Sequence, residues 1–470
     1  MHKTQVAVLG AGPGGYAAAF RAADLGRQVV LVDAEENPGG VCLYRGCIPS
    51  KALLHAARLI FESQEAADWG LRFAAPEIDL GQLRAWKDRI VGKLTGGLGQ
   101  LARTRKVTYL RGTARFADAR TLRVKRADGT EEQVEFEQCI LASGSRPVSL
   151  PNMPTGNDRV MDSTAALDLP DVPQSLLVVG GGYIGLELGT VYASLGSRVS
   201  VVEMTAGLIP PADRDLVKPV QARLEHLFEA IMLETRVAAV TLADGALQVE
   251  FQPAAGQPFQ KTYDRVLVAV GRRPNSEDLG LEATGVRLTE RGFVQVDDQL
   301  RTAEPTILAI GDVIGAGLAH TATHQGQLAA EIIAGHRAAF EPNAIPAVVF
   351  TDPELAWCGL TEAEAKAQGR PYKVARFPWA ASGRATTLGR SDGLTKLLVE
   401  PESERILGVG VVGPGAGELI AEGVVAMEMA ARVSDLKLCI HPHPTLSETV
   451  MEAAETFFGQ SAHYYAPRRG

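Results

Sequence analysis

Two cysteines, Cys42 and Cys47, stand five residues apart in the run Gly39-Gly40-Val41-Cys42-Leu43-Tyr44-Arg45-Gly46-Cys47-Ile48-Pro49-Ser50-Lys51. Thiols this close in sequence can interconvert with a disulfide, a two-electron redox step, provided the chain lets the sulfurs meet. In a regular α-helix a five-residue spacing separates the Cα atoms by about 8.6 Å, beyond the ~7 Å limit for a bridge. A bridge therefore demands a distorted helical turn, which Gly46 and Pro49 permit. Strain makes a disulfide more reducible, which suits a catalytic pair. Two blander readings compete: unreactive buried thiols, or half of a metal site, for which no second Cys/His pair stands at ligand spacing. No metal ligand set is expected. The fold that precedes the pair favours redox use.

A dithiol also needs a group that moves its protons. The segment His441-Pro442-His443-Pro444-Thr445-Leu446-Ser447-Glu448 offers one. His443 with Glu448 five residues on is a base with a carboxylate to orient it. A lone histidine is more often structural, so this motif gains its weight from the cysteine pair.

The elements that must position these groups repeat. Val6 to Leu9 reads as a buried strand, followed by Gly10, Gly12 and Gly15, an Ala-rich helix to about Leu25, a stop at Gly26, and a strand Val29 to Val32 ending at Asp33. The landmarks Gly10, Gly12, Gly15, Gly26 and Asp33 recur 170 positions later as Gly180, Gly182, Gly185, Gly196 and Glu203. One G-x-G-x-x-G is weak evidence; two, each between strand and helix with an acid 23 residues on, are strong. The glycines admit a pyrophosphate to the backbone, and the helix N-terminus supplies donors. Asp33 and Glu203 are then placed to bond a ribose 2′-hydroxyl. A carboxylate at Glu203 repels a 2′-phosphate, and Met204-Thr205-Ala206 offers no Arg, so NAD is expected over NADP. Arg198 is read as flanking its strand. Each half closes on a strand and turn, Ile140 to Pro147 and Leu267 to Pro274. A further strand, Thr306 to Ile310, ends in Gly311-Asp312. Beyond about Ile345 the pattern changes to an α+β unit, with strands Leu394 to Glu400 and Ile406 to Val412 and helices Glu362 to Gln368 and Glu418 to Ala431.

Composition bounds the rest. The chain has 470 residues, 46% hydrophobic and 22% charged, which excludes a disordered or fibrous protein. Five cysteines are too few, and odd in number, for a disulfide-stapled secreted scaffold. Cys139, Cys358 and Cys439 are read as core fillers. A net charge of −8 argues against nucleic acid as a partner. Arg21, Asp24 and the first glycines spoil an export signal, and no apolar run of ~18 residues suggests a membrane span. A cytoplasmic protein is expected.

With these residues in place the chain resembles the flavin-dependent pyridine nucleotide–disulfide oxidoreductases, over essentially its whole length. The resemblance is carried by GGVCLYRGCIPSKALL (39–54), YIGLELG (183–189), Gly311-Asp312, IPAVVFTDPELAWCGLTE (345–362), Gly383-Arg384-Ala385, RILGVGVVGPGAGELI (405–420) and HPTLSE (443–448). It implies an α/β protein with two Rossmann-like dinucleotide-binding domains and an α+β C-terminal dimerisation domain. The implied division is 1–148 and 273–344 for FAD, 149–272 for NAD and 345–470 for the interface.

A homodimer with shared active sites follows from the resemblance. Cys42 is implied as the interchange thiol and Cys47 as the flavin-facing thiol. His443 from the opposite subunit, oriented by Glu448, is the implied base, and Lys51 is paired with Glu187 near the flavin. FAD would be held by Gly10, Gly12, Gly15, Asp33, Lys51, the backbone around Ala114, Ser143, Gly144, Asp312, Ala319 and His320. NAD would be held by Gly180, Gly182, Tyr183, Ile184, Gly185, Glu187, Glu203, Val237 and Gly271. The implied substrate is a dihydrolipoyl group on an acyltransferase subunit or on a glycine-cleavage carrier protein.

The sequence departs from the family pattern at Asp33 (more often Glu), Ser143 (Thr), Gln325 (Glu) and Pro442 (Ala); none removes a reacting group. Glutathione- or mercuric-reductase-like chemistry is the alternative. Glu203 opposes the NADP of the first, and Tyr464 to Gly470 lacks the cysteines of the second. A non-catalytic flavoprotein subunit would not need the full set of chemical groups.

Overall fold

The computed structural model describes residues 1–154, 156–243 and 245–465. Val6, Ala7 and Val8 are fully buried, because their strand, His2–Leu9, lies between parallel neighbours in a sheet covered on both faces. The sheet order is Thr108–Arg111, Val29–Asp33, His2–Leu9, Glu131–Leu141, Thr121–Lys125, Thr113–Asp118, with Ile307–Ala309 returning to pair beside Glu131–Leu141. The helices of this unit are α1 (Pro13–Asp24), α2 (Gly40–Arg45), α3 (Cys47–Glu65) and α4 (Leu80–Thr104). Pro13 starts α1, where its missing N–H is no loss, and Gly26, at φ +79°, follows its end.

The second sheet repeats the motif. Its order is Ala230–Met232, Arg198–Val202, Ser175–Val179, Arg265–Val268, Val160–Met161, all parallel. It carries α5 (Ser163–Leu167), α6 (Tyr183–Ser194) and α7 (Arg214–Leu227), with a three-stranded antiparallel sheet, Thr235–Ala243, Ala246–Pro253 and Phe259–Tyr263, beside it. The two passages of chain between the sheets pair with each other, Ser145–Pro147 against Arg272–Pro274. After the return, α8 (Ala319–Ile333) packs on α1.

The last unit is a five-stranded antiparallel sheet, Ala347–Val349, Leu355–Gly359, Ile406–Val412, Leu394–Val399, Lys373–Pro378, with α9 (Glu362–Ala367), α10 (Gly383–Thr387), α11 (Ala416–Glu428), α12 (Val433–Leu438) and α13 (Glu448–Phe458). A Thr361–Glu364 capping box starts α9 where the sequence places it. By contrast α11 begins two residues before the expected Glu418 and ends three before Ala431. Gly415 at φ +74° starts it, and the chain leaves the helix at Ala430, φ +54°. No helix among the described residues is long and apolar enough to cross a membrane.

A buried lysine ties this unit to the second sheet. Lys396, its side chain 3% exposed, donates to Asp213 at 2.7 Å, to Asp215 at 2.9 Å and to Glu362. Burial works against ionised Asp215, but bonds from Lys396 and Arg376 hold its carboxyl below the ordinary value. Lys396→Met leaves Asp213 without its ammonium and Arg376 alone to offset Asp215 and Glu362, and is expected to destabilise by about 3 kcal/mol, read as a lower urea midpoint. Because the folded value of Asp215 is depressed, its contribution is present above the ordinary aspartate pKa of about 4 and is lost as pH falls through the lower folded value.

Candidate active site

Both glycine turns rest on the same contact. Gly10 has φ +99°, and a Cβ there would lie 2.3 Å from the Ala142 carbonyl; Gly180 has φ +111°, with 2.5 Å to the Ala269 carbonyl. Only glycine lets the turn sit against the neighbouring strand. The acids at the ends of the second strands are matched as well. Asp33 accepts from Ala11 N–H at 2.6 Å and Glu35 N–H at 3.0 Å. Glu203 accepts from Gly181 N–H at 2.7 Å and Thr205 N–H at 2.8 Å. Each carboxylate thus braces its own turn, a role the sequence reading does not contain. Arg198 flanks its strand as expected, its nearest acid Glu229 at 3.9 Å.

Gly46 divides α2 from α3. Its φ of −148° and ψ of −114° interrupt the helix between the cysteines, and a Cβ would meet the Val41 carbonyl at 2.8 Å. Pro49 takes no part in the distortion. It sits in the first turn of α3, where no N–H is required. The break brings the two cysteines onto one cavity wall as free thiols close enough to act on each other. Hydrogen bonding from Cys42, with help from Lys51 and against burial and Glu187, lowers the Cys47 thiol to about 7. Cys42 moves strongly the other way, through the same bond and burial. The shared bond and Lys51 together favour ionisation at Cys47 over Cys42. Lys51 Nζ lies 2.8 Å from Glu187, whose carboxylate also accepts from Ser50 Oγ at 3.0 Å and from Phe350 N–H at 3.0 Å.

These groups open on a cavity of about 340 Å³. Its wall holds both cysteines of the expected redox pair, Gly10, Gly12, Gly15, Asp33, Lys51, Ser143, Gly144, Asp312 and Ala319 from the set expected to hold FAD, and Tyr183, Ile184 and Glu187 from the set expected to hold NAD. The N-terminal residues of α1 and α8 both face it, an arrangement that suits a pyrophosphate. Asp312 accepts from Ser145 Oγ, with Arg272 3.9 Å away. A turn that excludes Cβ atoms, two helix N-termini and a braced acid fit a dinucleotide.

Other expected contacts lie off this wall. Ala114 is buried in its strand opposite Val124, and His320 Nε2 contacts the Pro346 carbonyl at 2.8 Å. Gly180, Gly182, Gly185, Glu203, Val237 and Gly271 belong to the second fold; Cβ atoms added at Gly182 and Gly271 would meet open space. Thus α6 stands between the two sites, with Tyr183, Ile184 and Glu187 turned to the first. At the departure Gln325, the side chain accepts from Gly311 N–H at 2.8 Å while 4% exposed. A neutral acceptor therefore does there what a glutamate would do with a buried charge.

His443 Nδ1 and Glu448 Oε1 are 2.9 Å apart, and Glu448 Oε2 also accepts from Thr445 N–H at 2.7 Å. The His443 side chain is 70% exposed, so the chain alone does not bring it to the cysteines' cavity. Its loop is anchored by His441 Nε2, 2.7 Å from Glu422. The reading of Cys439 as a core filler is corrected: Cys139 and Cys358 are buried, but Cys439 is exposed. It lies just beyond α12 between Leu438 (76%) and Ile440 (98%), an apolar edge largely exposed among the described residues.

Residues 4–326 match the family described as pyridine nucleotide-disulphide oxidoreductase, and residues 345–454 match the dimerisation domain of the same family. Dihydrolipoyl dehydrogenase of Haemophilus influenzae is 50% identical, covering 97% of this chain and 95% of that protein. The Vibrio parahaemolyticus protein of that name is 48% identical, covering 97% and 96%. Among solved structures, LpdA of Mycobacterium tuberculosis superposes with a TM-score of 0.89 at 26% identity, covering 97% of this chain and 100% of that one. The HOCl-induced flavoprotein disulfide reductase RclA of Escherichia coli gives 0.83 at 27%, covering 95% and 98%. With its glycine turns, thiol pair and antiparallel C-terminal unit so matched, the chain belongs to the pyridine nucleotide-disulphide oxidoreductases.

Proposed function

We propose that the protein oxidises a protein-bound dihydrolipoyl group to lipoyl and reduces NAD+ to NADH, using FAD held in the cavity beside Cys47. The observation that carries this reading is the Cys42–Cys47 pair on the wall of the cavity that the first glycine turn also lines, with the Lys51–Glu187 ion pair next to it. Relatives that share nearly half their residues over nearly full length and are named dihydrolipoyl dehydrogenase support it. Glu203, braced against Gly181, sets a carboxylate where a 2′-phosphate would fall, which supports NAD.

In the oxidised resting state Cys42 and Cys47 form a disulfide. The partner subunit's His443 takes a proton from one dihydrolipoyl thiol. The resulting thiolate attacks Cys42, forming a mixed disulfide and expelling Cys47 as a thiolate. The second lipoyl thiol, deprotonated in turn, closes the lipoyl disulfide and expels Cys42 as a thiolate, which takes up one of the two protons the lipoyl thiols gave up. The end state of this sequence, thiol at Cys42 and thiolate at Cys47, holds the electron pair. Gly10, Gly12, Gly15 and Asp33 would hold the flavin dinucleotide, which, when bound, supplies electron transfer from the dithiol to NAD+ as hydride.

The matched dimerisation domain and the exposed apolar edge at Leu438 and Ile440 support a homodimer in which each subunit completes the other's site. Sheet membership supports the division into 1–148 with 273–344, 149–272 and 345–470. The acyltransferase or carrier bearing the lipoyl group belongs to the same proposal.

The test is an assay of purified, FAD-loaded protein. With dihydrolipoamide it should form NADH rapidly and NADPH poorly. Protein that leaves dihydrolipoamide untouched, or that instead reduces another disulfide with NADPH, overturns the reading.

A further inference from the structure

The Lys51–Glu187 pair is held from three directions, and one of them is the C-terminal unit. Besides Ser50 and Lys51 from α3, Glu187 accepts a bond from the backbone of Phe350, the residue that follows the strand Ala347–Val349. The ring of Phe350 lies against Lys51, with the ammonium 4.5 Å from its centroid. On its other flank the ring meets α11, where a Cβ at Gly417 would lie 3.5 Å from it. Gly417 N–H is fixed in turn by Glu354 at 2.9 Å.

An ammonium over an aromatic face is attracted by the ring's quadrupole, the more so when water is excluded. The lysine head otherwise sits on a flexible four-carbon stem. Glu187 alone would draw the charge to one side, whereas carboxylate and ring together give it two anchors. So placed, it acts on both sulfurs of the redox pair.

We propose that Phe350 is a positioning residue for the thiol chemistry: its ring and backbone N–H fix the Lys51 ammonium and the Glu187 carboxylate beside Cys47, so that the seating of the dimerisation unit governs the field at that sulfur. This rests on the reading of Cys47 as the thiolate of a redox pair. The groups that face Cys47 are Cys42 from α2, Lys51 from α3, Tyr16 from α1, and Tyr183 and Glu187 from α6. Phe350 acts on two of them and leaves the rest in place.

The experiment follows the thiolate absorbance of reduced holoenzyme against pH in the wild type and in Phe350→Leu, Phe350→Met and Phe350→Tyr. Leucine and methionine refill the space without a ring face; tyrosine keeps one. The wild-type midpoint is the reference for every variant. Both ringless variants should move it up by about half a unit or more, roughly threefold less thiolate on the rising limb, while tyrosine stays within about 0.2 unit of wild type. A ringless variant that folds and keeps the wild-type midpoint overturns the proposal, as does a tyrosine variant that shifts as far as leucine. Because the readout is a titration, the proposal can stand even if the protein proves inactive on dihydrolipoamide, so failure of that reading is separately visible.

Discussion

Cys42→Ala is expected to abolish dihydrolipoamide oxidation, by on the order of 10⁴-fold or more, since loss of a nucleophile from a unit that acts together removes nearly all of its catalysis. The variant should also change the cysteine that remains. Hydrogen bonding from Cys42 is the largest influence lowering the Cys47 thiol to about 7. Without it, burial and Glu187 are opposed mainly by Lys51, and the thiol should titrate nearer the ordinary value of about 8.5. In the Cys42→Ala holoenzyme the thiolate-to-flavin absorbance should therefore be weak at neutral pH and grow as pH rises. Cys42→Ser, whose hydroxyl still donates, should lose turnover equally but keep Cys47 ionised at lower pH. If alanine and serine give the same midpoint, the hydrogen bond does not set the charge on Cys47.

His443→Gln carries the second large effect. Removing a positioned general base should lower turnover with dihydrolipoamide by about 10²–10⁴-fold, while reduction by NADH still yields the thiolate band, since that route needs no proton acceptor on the lipoyl side. The exposure of His443, away from the wall that holds the cysteines, makes a sharper outcome available. Cys42→Ser and His443→Gln homodimers, each nearly inactive, should regain activity when their subunits are exchanged. A mixed dimer joins an intact Cys42 on one chain to an intact His443 on the other. An equal mixture should approach roughly one quarter of wild-type activity, one working site in half of the dimers. No recovery after demonstrated exchange would mean that both groups act within one chain.

Much of this was legible in the sequence because local chemistry dictates it. The paired glycine turns, with an acid at the end of each second strand, announce two βαβ units, since few other residue patterns let backbone meet backbone as at Gly10 and Ala142. The cysteine spacing required a broken helix, and Gly46 breaks it. What was not legible depends on partners far along the chain. Phe350 reaches Glu187 across 163 positions, and Lys396 reaches Asp213 across 183; Lys396 belongs to no motif, and the motif around Phe350 does not say which helix its backbone will meet. Cys439 was misread for a related reason. Its apolar neighbours resemble core, but they form an edge that the chain itself leaves uncovered. Pro49 was given a part in the distortion because proline breaks helices in general, whereas in the first turn of one it fits.

The bonds from Asp33 to Ala11 and from Glu203 to Gly181 bear on how nucleotide preference could change in this scaffold. The carboxylate proposed to discriminate against a phosphorylated ribose is also the strut of the turn proposed to receive the pyrophosphate. Swapping Glu203 for a small or basic residue would remove discrimination and strut together, leaving the Gly181 N–H without its acceptor. A route to the phosphorylated coenzyme must keep an acceptor at that position, for which glutamine has the shape, and place the new positive charge one or two residues beyond it, at Met204 or Thr205. Cofactor choice and loop architecture are therefore inherited together, twice over, in one chain.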